Sequence, residues 1–118
     1  MFNFLKNLNQ ANEPLVEKVA GEEIVKGEAL DYNESGKLVK ATTSAKFIAV
    51  KGAVAEEKIN VAPVRHDDII EVETEETLTE GVAYDLDDTA TGLATTTANG
   101  VFLVEKVLED RVYGKIVK

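Results

Sequence analysis

The chain has 118 residues, 44% of them hydrophobic, with 22 acidic side chains against 13 basic ones and a net charge of -9. That length fits one domain or two very small intertwined halves, and is enough to bury one modest core. The acidity disfavours phosphate binding, which needs clustered Lys and Arg, and works against adhesion to nucleic acid or anionic membranes. With Cys 0, disulfides, thiol catalysis and Cys-based zinc sites are excluded.

Residues 1–14 read as an N-terminal arm. Met1 to Asn12 carry Phe2, Phe4, Leu5 and Leu8, the single base Lys6, and no acid. Phe2, Leu5 and Leu8 recur at helical three-residue spacing, and Pro14 breaks the pattern. Such a segment either packs on its own domain or docks on a partner, where burial offsets its ordering entropy. The start is too broken by Asn and Gln for a signal-peptide core, so the expectation is a protein made and used without secretion. No apolar run reaches membrane-spanning length.

Residues 15–118 read as a β domain. Aromatics are few, so the core must rest on Val, Ile, Leu and Ala, many of them β-branched. The pattern predicts strands over Leu15–Val19, Glu28–Tyr32, Lys37–Ala41, Phe47–Lys51, Lys58–Val64 and Ile69–Glu73. It continues with Val82–Leu86, Gly92–Thr95, Val101–Val107 and Arg111–Val117. Turn formers separate them, among them Asn33-Glu34-Ser35-Gly36 and Asn99-Gly100, the second suited to a tight hairpin. Pro63 cannot donate to a ladder, which predicts an edge or bulged strand there. Expected core residues are Phe47, Ile48, Val50, Ile59, Val61 and Val72, with Val101, Phe102, Leu103, Val104, Val112 and Ile116. The fold class is therefore all-β, a small barrel-like or sandwich domain.

An internal repeat is the most informative feature. Gly27-Glu28-Ala29-Leu30-Asp31 matches Gly81-Val82-Ala83-Tyr84-Asp85. Leu38 then matches Leu93, Phe47-Ile48 matches Phe102-Leu103, and Lys58-Ile59 matches Arg111-Val112. Two related units, about 24–65 and 78–118, are expected, pivoting near Thr74–Thr79.

Catalytic chemistry is poorly provided for. The one imidazole, His66, sits in a polar turn without a nucleophile motif. The run from Asp85 to Gly92 has oxygen ligands at alternating positions, as Ca²⁺ requires. An EF-hand loop started at Asp85 would place Ala90 and Thr96 where glycine and glutamate belong, so this run reads as a turn. No Walker A loop or dinucleotide fingerprint is present. Neither a metal nor a cofactor is expected.

Ile24-Val25-Lys26-Gly27-Glu28-Ala29-Leu30, Ser35-Gly36-Lys37-Leu38-Val39-Lys40-Ala41-Thr42, Phe47-Ile48-Ala49-Val50 and Lys58-Ile59-Asn60-Val61 follow one another in this order. Together they resemble the capsid decoration (cement) proteins of tailed bacteriophages. The resemblance spans residues 22–65 and, more weakly, the second unit; Ala49 stands where that family's pattern has glycine. It implies a β-tulip or barrel-like domain on the capsid exterior of the virion, often a trimer, with the major capsid protein as partner. On that reading Phe2, Phe4, Leu5, Lys6 and Leu8 form the capsid-binding set, and the loops at Ala53–Glu57 and Val107–Asp110 are the next candidates. The competing class is a β-rich fibre or baseplate domain, or another non-catalytic binding module; a sugar-binding site is disfavoured by Trp 0.

Overall fold

Side chains alternate inward and outward along the longer strands, such as Asp68–Glu73 and Arg111–Ile116, and a period of two builds strands. The computed structural model describes residues 1–7, 15–65 and 68–118. The elements are β1 (Phe2–Asn7), β2 (Val16–Val19), β3 (Ala29–Tyr32), β4 (Leu38–Lys40), β5 (Phe47–Ala49), β6 (Lys58–Pro63), β7 (Asp68–Glu73), β8 (Ala83–Tyr84), β9 (Phe102–Val107) and β10 (Arg111–Ile116). They form two antiparallel sheets in a sandwich-like, all-β arrangement, ordered β1-β7-β10-β9-β8 and β2-β6-β5-β3-β4. No described residue is helical.

Two apolar clusters hold the sheets. The larger joins Phe2, Ile48, Ile70, Val72, Phe102, Val104 and Val112 across both sheets. The smaller lies against the second sheet and contains Ile24, Leu30, Leu38, Phe47, Ile59 and Val61. β5 serves both, because Ile48 points to one and its neighbours Phe47 and Ala49 to the other. All three are buried. Val50, expected in the core, is exposed instead, one residue past the end of β5.

The same backbone bonds recur in both sheets. Gly27 N–H donates to Ala49 O, and Gly81 N–H to Val104 O. Ala49 N–H donates to Glu28 O, and Val104 N–H to Val82 O. Ala29 faces Ile48 and Leu30 faces Phe47, as Ala83 faces Leu103 and Tyr84 faces Phe102. Lys18 faces Ile59 in β2–β6, as Val72 faces Val112 in β7–β10. Gly27 and Gly81 both take positive φ, at 84° and 86°, a conformation that glycine adopts without a Cβ penalty.

Three expectations are corrected. The first seven residues do not follow their helical spacing: Phe2–Asn7 pairs along β7, with a register shift between Phe4 and Lys6. A lone helical turn is unfavourable, whereas a sheet edge supplies ready ladder partners. β6 is an interior strand despite Pro63. β2 begins at Val16 opposite Val61, so the proline nitrogen lies past the end of that neighbour. Gly92–Thr95 forms no strand, only an isolated bridge of Leu93 to Leu86. The turn that Asp87 N–H closes onto Gly92 O leaves no length for one.

Phe2 is a core residue. It is 1% exposed, its ring centroid is 6.0 Å from that of Phe102, and its N–H donates to Gly27 O. Phe2→Ala and Phe102→Ala should each destabilise the chain by roughly 3–5 kcal/mol in chemical denaturation. A change within about 0.5 kcal/mol at Phe2 would detach β1 from the core. Gly114→Ala should cost about 1–3 kcal/mol or more by overpacking, since a Cβ there meets the Leu103 carbonyl and the Phe102 ring.

Candidate docking surface

The structure redistributes the residues that the sequence nominates for contact. Phe2 is enclosed and cannot serve a partner without unpacking the core. The backbone of Phe4, Leu5 and Lys6 lies in β1, and Leu8 falls outside the described residues. His66 falls outside them as well.

Exposed apolar side chains gather instead at the loop that joins β5 to β6. Ile24 and Ala53 exchange both backbone bonds, at 2.8 and 2.9 Å, which lays residues 23–26 beside 52–54. Alternation then turns Ile24 inward and Val25 outward. Val25 is 52% exposed and Val54 60%, the highest values among the described large apolar residues. Together they edge a shallow groove flanked by Glu23, Lys26 and Glu57.

The loop is fixed rather than loosely draped. Glu57 N–H closes a turn onto Val54 O, while Glu56 N–H donates to Ala20 O and Glu57 O accepts from Ala20 N–H. Glu56 holds a φ of 70°, a strained value for a residue with a Cβ. Its carboxylate meets Lys37 Nζ at 2.5 Å. In the other sheet, Leu108 N–H donates to Arg111 O, and Val107 N–H donates to Glu80 Oε2. Val107 and Leu108 are exposed there, so both candidate loops present apolar side chains.

The carboxylates that resemble a cation loop are engaged by the chain itself. Asp85 accepts the Thr96 hydroxyl at 2.7 Å and the amides of Ala98, Asn99 and Gly100. The Asn99-Gly100 pair thus closes onto Asp85. Asp87 Oδ1 accepts the amide and hydroxyl of Thr89. Among the described residues no three His, Cys, Asp or Glu converge as a metal site.

Asp85 is held below the usual carboxylate range, by the Thr96 hydroxyl first and, against burial, by those three amides. Asp31 is also lowered. Burial opposes that shift, but bonds from Lys46, the Tyr32 amide and the Ser44 hydroxyl outweigh it. Glu28 goes the other way. It is 3% exposed, and its Oε1 has no hydrogen-bond partner among the described residues. Burial raises its pKa; the Val25 amide opposes this and Glu22 adds to it.

Net charge is unevenly divided. Residues 1–65 hold nine acids and nine bases, whereas residues 66–118 hold 13 acids and four bases. The candidate groove at Val25 and Val54 therefore belongs to an electrically neutral half. No family model and no curated protein sequence matches this chain.

Composition and motif spacing single out neither Val25 nor Glu28. The alternation Ile24 in, Val25 out was a usable signal for the first, but a glutamate beside a turn glycine gives no hint of burial.

The two kinds of carboxylate predict opposite pH behaviour. Asp85 contributes stability above its unfolded pKa, and that contribution is lost as pH falls through the depressed folded value. Glu28, with a raised folded pKa, favours the fold below its unfolded pKa, and this is lost as pH rises through the folded one. Glu28→Gln should therefore stabilise the chain at pH 7 by on the order of 1 kcal/mol, a gain that shrinks on acidification. Asp85→Asn should lower the melting temperature at pH 7 and converge on the parent in acid. Thermal melts across that range check both signs.

Proposed function

We propose that this chain is a non-enzymatic structural protein of a phage virion. On this reading it binds the outside of the capsid and stabilises contacts between capsid subunits. Its partners are the major capsid protein and further copies of itself, as a trimer. It works without a cofactor, does not bind nucleic acid or membrane, and is made in the host cytoplasm.

The observation that carries this reading is the pair Val25 and Val54, displayed on turn-locked backbone at one end of a rigid β body. Apolar side chains held in place lose little conformational freedom on docking, so burial converts efficiently into affinity. The recurring bonds of the two sheets support a chain built from two related units, with Val107 and Leu108 as a second point of contact. Two modest contacts on one rigid body reinforce each other when both meet the same shell. The acidic second half favours solubility and discourages adhesion to nucleic acid. The resemblance of residues 22–65 to capsid decoration proteins supplies the identity of the shell.

Co-sedimentation with assembled capsids tests the reading. Full burial of one valine side chain is worth about 1.5–3 kcal/mol, so Val25→Asp with Val54→Asp should weaken attachment by roughly tenfold or more. Both sites are exposed, so stability should move by no more than about 0.5 kcal/mol per site. Normal decoration by the double variant would remove the groove from the interface. Failure of the parent chain to sediment with any capsid of its own phage would end the capsid reading.

A further inference from the structure

We infer that Asn99–Gly100 is a latent self-modification site, an asparaginyl–glycyl pair whose cyclisation is held back by the Asp85 carboxylate. Once that hold is lost, Asn99 converts to aspartate and isoaspartate. Nothing in this depends on the capsid reading.

The chemistry begins with the sequence. Asn99–Gly100 is the one Asn-Gly pair in the chain; each of the other six asparagines precedes Phe, Leu, Gln, Glu or Val. A backbone nitrogen that follows asparagine can attack the side-chain carbonyl carbon. A succinimide ring forms as the bond from that carbon to the side-chain nitrogen breaks, and ammonia leaves with the backbone amide proton. Water then opens the ring at either carbonyl, which gives aspartate or isoaspartate without an oxidant or cofactor. Glycine makes the attack easiest, because no side chain crowds its nitrogen and its backbone turns most freely. Asn99 and Gly100 are both partly exposed, so water reaches them.

The folded chain restrains the attacking nitrogen. Asp85 Oδ1 accepts Asn99 N–H at 2.6 Å and Gly100 N–H at 2.9 Å. Two consecutive amides that converge on one anion fix the peptide plane between them. Attack requires the Gly100 nitrogen to lose its proton, and the resulting anion would lie against the carboxylate. That like-charge contact disfavours the step. Asp85 is also a poor acceptor for the proton. Its Oδ2 takes the Thr96 hydroxyl at 2.7 Å and the Ala98 amide at 3.2 Å, and bonds of this kind favour the ionised form. The backbone of Asp85 is fixed as well, its N–H donating to Thr96 O and its carbonyl accepting from Ala94 N–H.

The change runs one way. Aspartate at position 99 would set a second negative charge beside Asp85. Isoaspartate would insert a methylene into the main chain just before Val101 and Phe102, both fully buried. Phe102 stands opposite Tyr84 and Ile116, so a longer connection disturbs the pairing of β9 with β8 and β10. Either product therefore opposes reclosure of the turn on Asp85.

The test follows the peptide containing Asn99 by mass spectrometry, with isoaspartate read by an isoaspartyl methyltransferase. The full-length chain is held in mildly alkaline buffer, both folded and in urea. Asn99 should react readily in urea and at least about tenfold more slowly in the folded chain, the factor for roughly one hydrogen bond to a charged group. Asp85→Asn keeps the size of the side chain and removes its charge. While folded, it should react about tenfold faster than the folded parent. Phe2→Ala loosens the core from β1 and leaves Asp85 in place, so while folded it should stay as slow as the parent. Hydrogen exchange at the Gly100 amide of the parent needs no variant and should be slow. The inference is overturned if Asn99 stays intact in urea, if the folded parent reacts as fast as the unfolded one, or if Gly100 exchanges freely. An Asp85→Asn chain as slow as the parent would overturn it too. Equal acceleration by Phe2→Ala and Asp85→Asn would remove Asp85 from the account, since opening of the whole fold would then set the rate.

Discussion

The pairing of β3 with β5 is the constraint on which the rest of this structure depends. Ala29 and Ile48 turn into the core shared by both sheets, while Leu30 and Phe47 turn into the smaller core of the second sheet. Where the two strands pair, at Ala29–Ile48 and Leu30–Phe47, neither face is left for solvent, so these four positions must be apolar. A polar residue there would be buried without a partner, which costs more than most surface changes. The adjoining Gly27 ties in the chain's first strand, accepting the Phe2 amide while its own amide donates to Ala49. Any side chain at Gly27 would strike Met1. One short stretch thus anchors β1, both cores and the second sheet.

The turns around this centre are fixed by side-chain oxygens of Asp and Asn rather than by proline. Asp85 gathers a hydroxyl and three amides, and Asn33 Oδ1 accepts the amides of Ser35 and Lys37. Each converts a flexible connection into a fixed one, at a position where the backbone would otherwise lack partners. The loop at Ala53–Glu57 belongs to the same class, with backbone bonds to Ala20 in place of a carboxylate. Its rigidity is what gives the exposed Val25 and Val54 a defined shape to present.

The two halves differ in ways that bear on function. The second is acidic, and its Phe102 is covered by Phe2. The first is neutral, and its Phe47 meets the Tyr32 ring edge-on with the Lys18 ammonium nearby. Contacts with another protein are therefore easier to make through the first half, on grounds of both charge and apolar exposure. The groove at Val25 and Val54 lies in it.

Period-two alternation and β-branched composition made the all-β class legible in the sequence, and turn residues bounded most strands to within a residue or two. Those signals are local, and a strand's two faces are written in its own residues. The interior place of β6 was not legible, because it depends on where β2 ends relative to Pro63. Nor was the strand at Phe2–Asn7, whose six residues fit two periodicities equally well until the edge of β7 offers partners. The candidate contact residues divide in the same way. The apolar character of Phe2 and Val25 was plain from composition, but burial of the one and exposure of the other were decided by tertiary packing. A side chain's hydrophobicity is a property of the residue, whereas the surface it covers is supplied by segments distant in the chain.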